Sequence, residues 1–260
     1  MKLYHNPVST CSQKVRLVLS EKGLSYESVF IDLLAGEQFA PEYVAKNPAA
    51  VVPTLEDGDG VFVESTLINE YLEDAYPDPA LAPADAARRH AMRLWTKKID
   101  ELHPFCGIQT FAIGARPGML ARPAEEVDAL IEAIPDPVRR GVRRSVIEHG
   151  VAAPEFVGAY QAHVKLFDLA DQTLSDHDYL VGDAFTLADA ALLPYVLRVD
   201  HLSLSDLLEG RGNLLAWYER VRARPSYQTA VADFLPEPAV AAFRSAGEAV
   251  ADEVAEAVGS

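Results

Sequence analysis

The sequence predicts a two-domain chain: a small α/β domain over residues 1–78, a linker at 79–84, and an all-helical domain over 85–260. Three observations predict it. Asp57, Gly58, Asp59 and Gly60 form a turn between two strand-like runs, a hairpin signal. Pro77, Pro79 and Pro83 then stiffen a connection that stops the helix before it. Beyond them no alternating run occurs, whereas Met92, Trp95, Ile99 and Leu102 recur at helical spacing.

In chain order, 2–5 reads as a strand and 12–22 as a helix, with Val15, Val18 and Leu19 on one face and Gly23 as its stop. A second strand follows at 26–32, then the hairpin arms 53–56 and 61–64, then a helix opened by Ser65 and carried by Leu67, Ile68, Tyr71 and Leu72. Strand, helix, strand, hairpin and helix make a mixed sheet covered by helices. In the second domain, Thr186 and Asp189 have the spacing of a capping box, which we read as folding chemistry. The stretch 114–154 is broken by five prolines and holds Arg139, Arg140, Arg143 and Arg144, so it reads as an inserted segment of bent helices. Those arginines suit either a solvated helix face or an anionic ligand. From Pro236 onward, Val240, Phe243, Val250 and Val254 mark an amphipathic terminal helix.

Composition narrows the function classes. With 49% hydrophobic and 24% charged residues the chain is an ordinary globular protein with a sizeable core. A net charge of −16 repels nucleic acid and anionic lipid, so neither is an expected partner. No apolar run approaches the roughly 18 residues that span a bilayer, and the first residues lack a secretory pattern. A cytoplasmic protein is expected. Cys11 and Cys106 lie too far apart for a local disulfide or CxxC pair, and the seven histidines show no ligand spacing, so no metal is expected.

The chemistry concentrates where Ser9, Thr10, Cys11 and Ser12 open the first helix. The first amides of a helix lack intrahelical partners and its macrodipole is positive there, which favours an anion by about 0.3–1 kcal/mol. A serine hydroxyl adds a directed donor. Lowering the pKa of a thiol from about 8.5 by about two units needs roughly 2.7 kcal/mol, a size that dipole and hydroxyl together reach. Taken alone, a serine here is equally a plain N-cap.

The pattern Ser9, Cys11, Ser12, Val15, Arg16, with Glu21 to Gly23, Asn47-Pro48, Val52-Pro53, Glu64-Ser65 and Tyr71-Leu72, resembles the glutathione transferase superfamily in register over the first domain. Gly182, Thr186 and Asp189 match the second. The resemblance implies a thioredoxin-like glutathione-binding domain followed by a helical domain that holds an apolar or aromatic electrophile. It is nearest the serine-type classes, zeta and theta among them, whose first loop serine donates to the glutathione sulfur; that serine is Ser9. The run from Glu64 to Asp74, with 82–85 and 92–97, looks closest to bacterial β-aryl-etherases that cleave lignin-derived ethers, where the serine corresponds to Ser12. Ser9 and Ser12 are therefore rival donors.

The resemblance also implies that Pro53 is cis, turning the Val52 backbone toward the cysteinyl part of glutathione. Ser65 would receive the γ-glutamyl carboxylate, Glu64 would face its ammonium, and Gln38 would reach the glycyl end. Ala49 stands where relatives often carry Lys or Arg, so a cation for the glycyl carboxylate is missing there. Phe105, Ile108, Phe111 and Tyr195 suit either core or electrophile site. A homodimer is implied, with Asp100 directed at the partner's glutathione. The expected activity is attack of glutathione thiolate on an electrophilic carbon, with cleavage of β-aryl ethers to a thioether and a phenol as its specific form. Two other readings stay open: a glutathione-linked thiol-disulfide oxidoreductase using Cys11, and a non-catalytic glutathione-binding protein that keeps the fold.

Overall fold

The computed structural model describes residues 1–259; Ser260, the last residue of the expected helical domain, lies outside them. Alternation in β1 (Lys2–His5) buries Leu3 and His5 and leaves Lys2 and Tyr4 partly exposed. It pairs in parallel with β2 (Glu27–Phe30) and antiparallel with β3 (Thr54–Asp57), which turns through Gly58 into β4 (Gly60–Phe62). The order is β2-β1-β3-β4, the mixed sheet that the sequence predicts. Gly58 has φ 56°, the left-handed conformation that the tight hairpin needs and glycine adopts without cost.

Helix α1 (Thr10–Glu21) and helix α3 (Ser65–Ala75) pack together, burying Val15, Val18 and Leu19 from one and Ile68 and Leu72 from the other. Each such apolar side chain contributes about 1.5–3 kcal/mol by leaving water. The short helix α2 (Pro41–Val44) precedes β3, with Pro41 at its first turn where a missing N–H costs nothing. At the end of α3 the predicted connection is pinned by side chains. Lys22 is buried, pairs with Glu73 at 2.7 Å and donates to the carbonyls of Tyr76 and Pro79, while Glu73 accepts from the amides of Leu81 and Ala82.

Every later element is helical: α4 (Ala86–Gln109), α5 (Arg116–Leu120), α6 (Ala124–Glu132), α7 (Pro137–His149), α8 (Pro154–Thr173), α9 (Leu187–His201), α10 (Gly212–Arg222), α11 (Pro225–Ala230), α12 (Glu237–Ala249) and α13 (Ala251–Val258). A π-helical turn, Thr110–Gly114, follows α4. The residues sort into two compact units. One comprises Met1–Asp100, Ala170–Val196 and Arg211–Pro236; the other comprises Glu101–Leu169, Leu197–Gly210 and the chain from Glu237. In the second unit, Met119, Ile131 and Ile147 from α5, α6 and α7 form a small apolar core of their own.

Two buried polar groups hold the first unit. Asp189 accepts from the amides of Leu180 and Thr186, the Thr186 hydroxyl and the Trp217 indole, all at 2.9–3.0 Å. The carboxylate thus reaches back to Thr186 as a capping box requires, whereas the Thr186 hydroxyl accepts from Ala188 and not from the Asp189 amide. Burial pushes the Asp189 carboxyl above its ordinary range, with the four hydrogen bonds opposing that shift. Arg16, fully buried on α1, donates to the carbonyls of Asn6, Pro7 and Ala230 and to Nδ1 of His5, with its guanidinium over the Phe234 ring.

Truncating either side chain leaves buried partners without a hydrogen bond: the Leu180 amide and the Trp217 indole for Asp189, the Ala230 carbonyl for Arg16. Asp189→Ala is expected to lower the unfolding free energy by about 3 kcal/mol or more, and Arg16→Met by about 1–3 kcal/mol, since it relieves a desolvated charge but leaves the Ala230 carbonyl without its donor and weakens the hold on those of Asn6 and Pro7. Urea unfolding checks both; wild-type midpoints would show that these networks are not what holds the unit.

Candidate active site

Strand directions gather the predicted site residues at one end of the sheet. Tyr4 pairs with Thr54 and Leu55 with Phe62, so the chain after β1, the chain before β3 and the chain after β4 emerge at the same end. Because β2 runs parallel to β1, its exit lies there too. Ser9, Cys11 and Ser12 follow β1, the turn Glu37–Phe39 bearing Gln38 follows β2, Val52 and Pro53 precede β3, and Glu64 and Ser65 follow β4. This is the expected constellation at the level of topology.

Ser9 is the N-cap of α1, at φ −67° and ψ 122°, and its Oγ accepts from the Ser12 amide at 3.2 Å. Accepting uses a lone pair and leaves the Ser9 O–H proton free to donate. Its residue is partly exposed. Ser12 is fully buried, and its Oγ accepts from the Asn6 amide at 3.3 Å. Cys11 is partly exposed on the first turn of the same helix. The three candidates are thus one turn of helix in three different environments.

The loop that presents Ser9 is built by residues to which the sequence assigned no role. Asn6 donates from Nδ2 to the Ile31 carbonyl and accepts from the Val8 amide on Oδ1, and Gln13 donates to the Pro7 carbonyl at 3.3 Å. Arg16 also holds the Pro7 carbonyl, and with it that of Asn6. Its guanidinium and burial keep His5 neutral, with a pKa pushed down to about 4, burial being the larger cause. No periodicity signal marks such residues. Arg16 enters the sequence pattern only as one residue of the family resemblance.

The Val52–Pro53 peptide is cis, as the resemblance implied. Neither the Val52 N–H nor its carbonyl has a partner among the described residues, so both are available to a ligand backbone. Glu64 sits at φ 66°, in the left-handed region that a glutamate rarely occupies, and caps α3 through no side-chain bond. The first amides of α3 therefore stay open, with the Ser65 hydroxyl beside them also unpartnered among the described residues. Oriented amides at a helix start, with a hydroxyl and an exposed carboxylate next to them, suit an amino acid's carboxylate and ammonium. Gln38 is buried and donates weakly to the Leu33 carbonyl at 3.4 Å, with its Oε1 unpaired.

Asp100 is held within its own chain: its Oδ1 receives Lys14 Nζ at 2.8 Å and the Thr66 hydroxyl at 2.7 Å. Lys14 also donates to Thr66 at 3.0 Å, tying α1 to the start of α3. Of the apolar candidates, Tyr195 is fully buried with Lys14 facing its ring, and Ile108 is buried. Phe105 is exposed, and Phe111 lies beneath Arg143. Among the described residues no His, Cys, Asp and Glu group could hold a metal ion.

The comparisons with known proteins bear on the same regions. Residues 3–80 match the family model of the glutathione S-transferase N-terminal domain, and residues 146–225 match that of its C-terminal domain. A tetrachloro-p-hydroquinone reductive dehalogenase from Sphingobium chlorophenolicum is 32% identical over 88% of this chain and 95% of its own. Glutathione S-transferase 3 of Zea mays is 33% identical over 92% of this chain and 96% of its own. The crystal structure of the β-etherase LigF from Sphingobium sp. strain SYK-6 superposes with a TM-score of 0.80 at 30% identity, covering 88% of this chain and 97% of LigF. The expected fold, a thioredoxin-like α/β domain with a helical domain after it, is borne out by these likenesses, and the chain is a member of the glutathione S-transferase family.

Proposed function

We propose that this enzyme ionises glutathione with the Ser9 hydroxyl and uses the thiolate to cleave β-aryl ethers, as a cytoplasmic homodimer. The observation that carries the reading is the contrast between the two serines. Each hydroxyl accepts one backbone amide and keeps its proton to donate, but Ser9 is partly exposed whereas Ser12 is fully buried. The likeness to LigF, a protein described as a β-etherase, supports the ether as substrate.

The remaining site residues take the roles that their open groups allow. The Val52 N–H and carbonyl pair with the cysteinyl backbone, with Pro53 holding the bend. The amides of α3 and the Ser65 hydroxyl bind the γ-glutamyl carboxylate, and Glu64 faces the ammonium. Gln38 lies toward the glycyl end. The thiol proton leaves to solvent, and the sulfur stays anionic against the Ser9 O–H and the start of α1. Its electron pair attacks the ether-bearing carbon, a C–S bond forms as the C–O bond breaks, and the departing phenolate takes up a proton. Glutathione and ether thus become a thioether and a phenol, with no oxidant or reductant consumed.

Assay of the wild type on a β-aryl ether ketone should yield thioether and phenol in equal amounts, dependent on glutathione. Ser9→Ala should lower kcat by about 10²–10³, the size of a lost donor to a developing anion. Ser65→Ala should raise KM for glutathione by about tenfold or more with a smaller effect on kcat. Cys11→Ala should stay active. Full activity in Ser9→Ala, or loss of activity only in Cys11→Ala, would sink the proposal in favour of Ser12 or of thiol-disulfide chemistry, respectively.

A further inference from the structure

Helix α7 carries its four arginines as two i,i+4 pairs, and the structure treats the pairs differently. Arg140 and Arg144 are neutralised from α6: Arg144 meets Asp128 at 2.6 Å and Glu132 at 2.9 Å, and Arg140 meets Glu132 at 3.2 Å and the Ile134 carbonyl. Arg143 lies on another side. Its guanidinium carbon is 3.0 Å from the centroid of the Phe111 ring, and among the described residues it makes no hydrogen bond or ion pair. In a chain with 39 acidic and 23 basic residues, a partly buried cation without a carboxylate is an anomaly of placement, not of supply.

The energetics point the same way. Burial, and after it the Arg139 cation, pushes Arg143 down to about 9. With its guanidinium carbon over the Phe111 ring, Arg143 gains a cation–π contact, which leaves all five of its N–H donors unspent. Arg143 is only partly buried, and none of its guanidinium nitrogens is among the fully buried atoms left without a partner, so those donors reach solvent. A planar fork of parallel N–H donors matches the two oxygens of a carboxylate, which would restore both the missing charge and the missing hydrogen bonds. We propose that Arg143, seated on Phe111 beside Arg139, is the centre of a binding site for a small organic carboxylate. It shares no residue with the glutathione contacts named above.

The test is a calorimetric titration of the intact protein with benzoate. Saturating S-methylglutathione is present so that the carboxylate sites of the first domain are occupied. Benzoate should bind to one site, while its uncharged isostere benzamide should not, and inorganic phosphate should bind more weakly than benzoate. Arg143→Gln should weaken benzoate at least tenfold. Arg143→Lys, which keeps the charge without the fork, should weaken it several-fold and stands in if the glutamine variant folds poorly. Arg144→Gln, on the neutralised side, should leave it unchanged. Absence of saturable benzoate binding, equal binding of benzamide, preference for phosphate, or wild-type affinity in Arg143→Gln would each overturn the proposal.

Discussion

The site depends on a buried guanidinium that touches no ligand. Arg16 emerges from the middle of α1 and turns back to hold the carbonyls of Asn6 and Pro7, while its other edge reaches the Ala230 carbonyl near the end of α11. One side chain thus fixes the loop that orients Ser9 and fastens a segment far down the chain to the sheet. Its acceptors are carbonyls and a neutral histidine, so the charge is met by dipoles alone, and burial holds it down to about 10. An arrangement of this kind is costly unless every acceptor is in place, which makes the loop geometry all-or-none.

The same economy recurs around the sheet. Lys14 is equally buried and binds α1 to α3 through Thr66 and Asp100, and Asn69 reinforces the contact by donating to the Lys14 carbonyl at 3.4 Å. Two helix starts are thereby held at one end of one sheet. The proposed reading asks for this, since it offers one positive helix end to a thiolate and another to a carboxylate. The strained φ of Glu64 belongs to this requirement, because a glutamate in the left-handed region ends the strand segment abruptly and leaves the α3 amides without a side-chain cap.

Much of this was legible in the sequence. Strand and helix order, the hairpin at Gly58, the helical character after Pro83 and the positions of Ser9, Pro53 and Ser65 all follow from periodicity, turn chemistry and the family resemblance. The short helix α2 was not legible, since four residues carry too little periodicity to separate from a loop. Nor were the burial of Lys14 and Arg16, because a pattern reading assigns charged residues to water and cannot see partners that lie as many as 214 positions away. The sequence offered two serines as rival candidates; both accept a backbone amide, and the full burial of Ser12 beside the partial exposure of Ser9 is what distinguishes them. The four arginines of α7 likewise read as one patch until the acids of α6 divide them.

The account stands or falls on the state of the glutathione sulfur, which its ultraviolet thiolate absorbance reports directly. Followed against pH, the thiol bound to the wild type should ionise about two units below the roughly 8.5 of a free thiol, and the shift should vanish in Ser9→Ala with glutathione still bound. A wild-type complex that ionises like free glutathione, or a Ser9→Ala complex that keeps the lowered value, would contradict it.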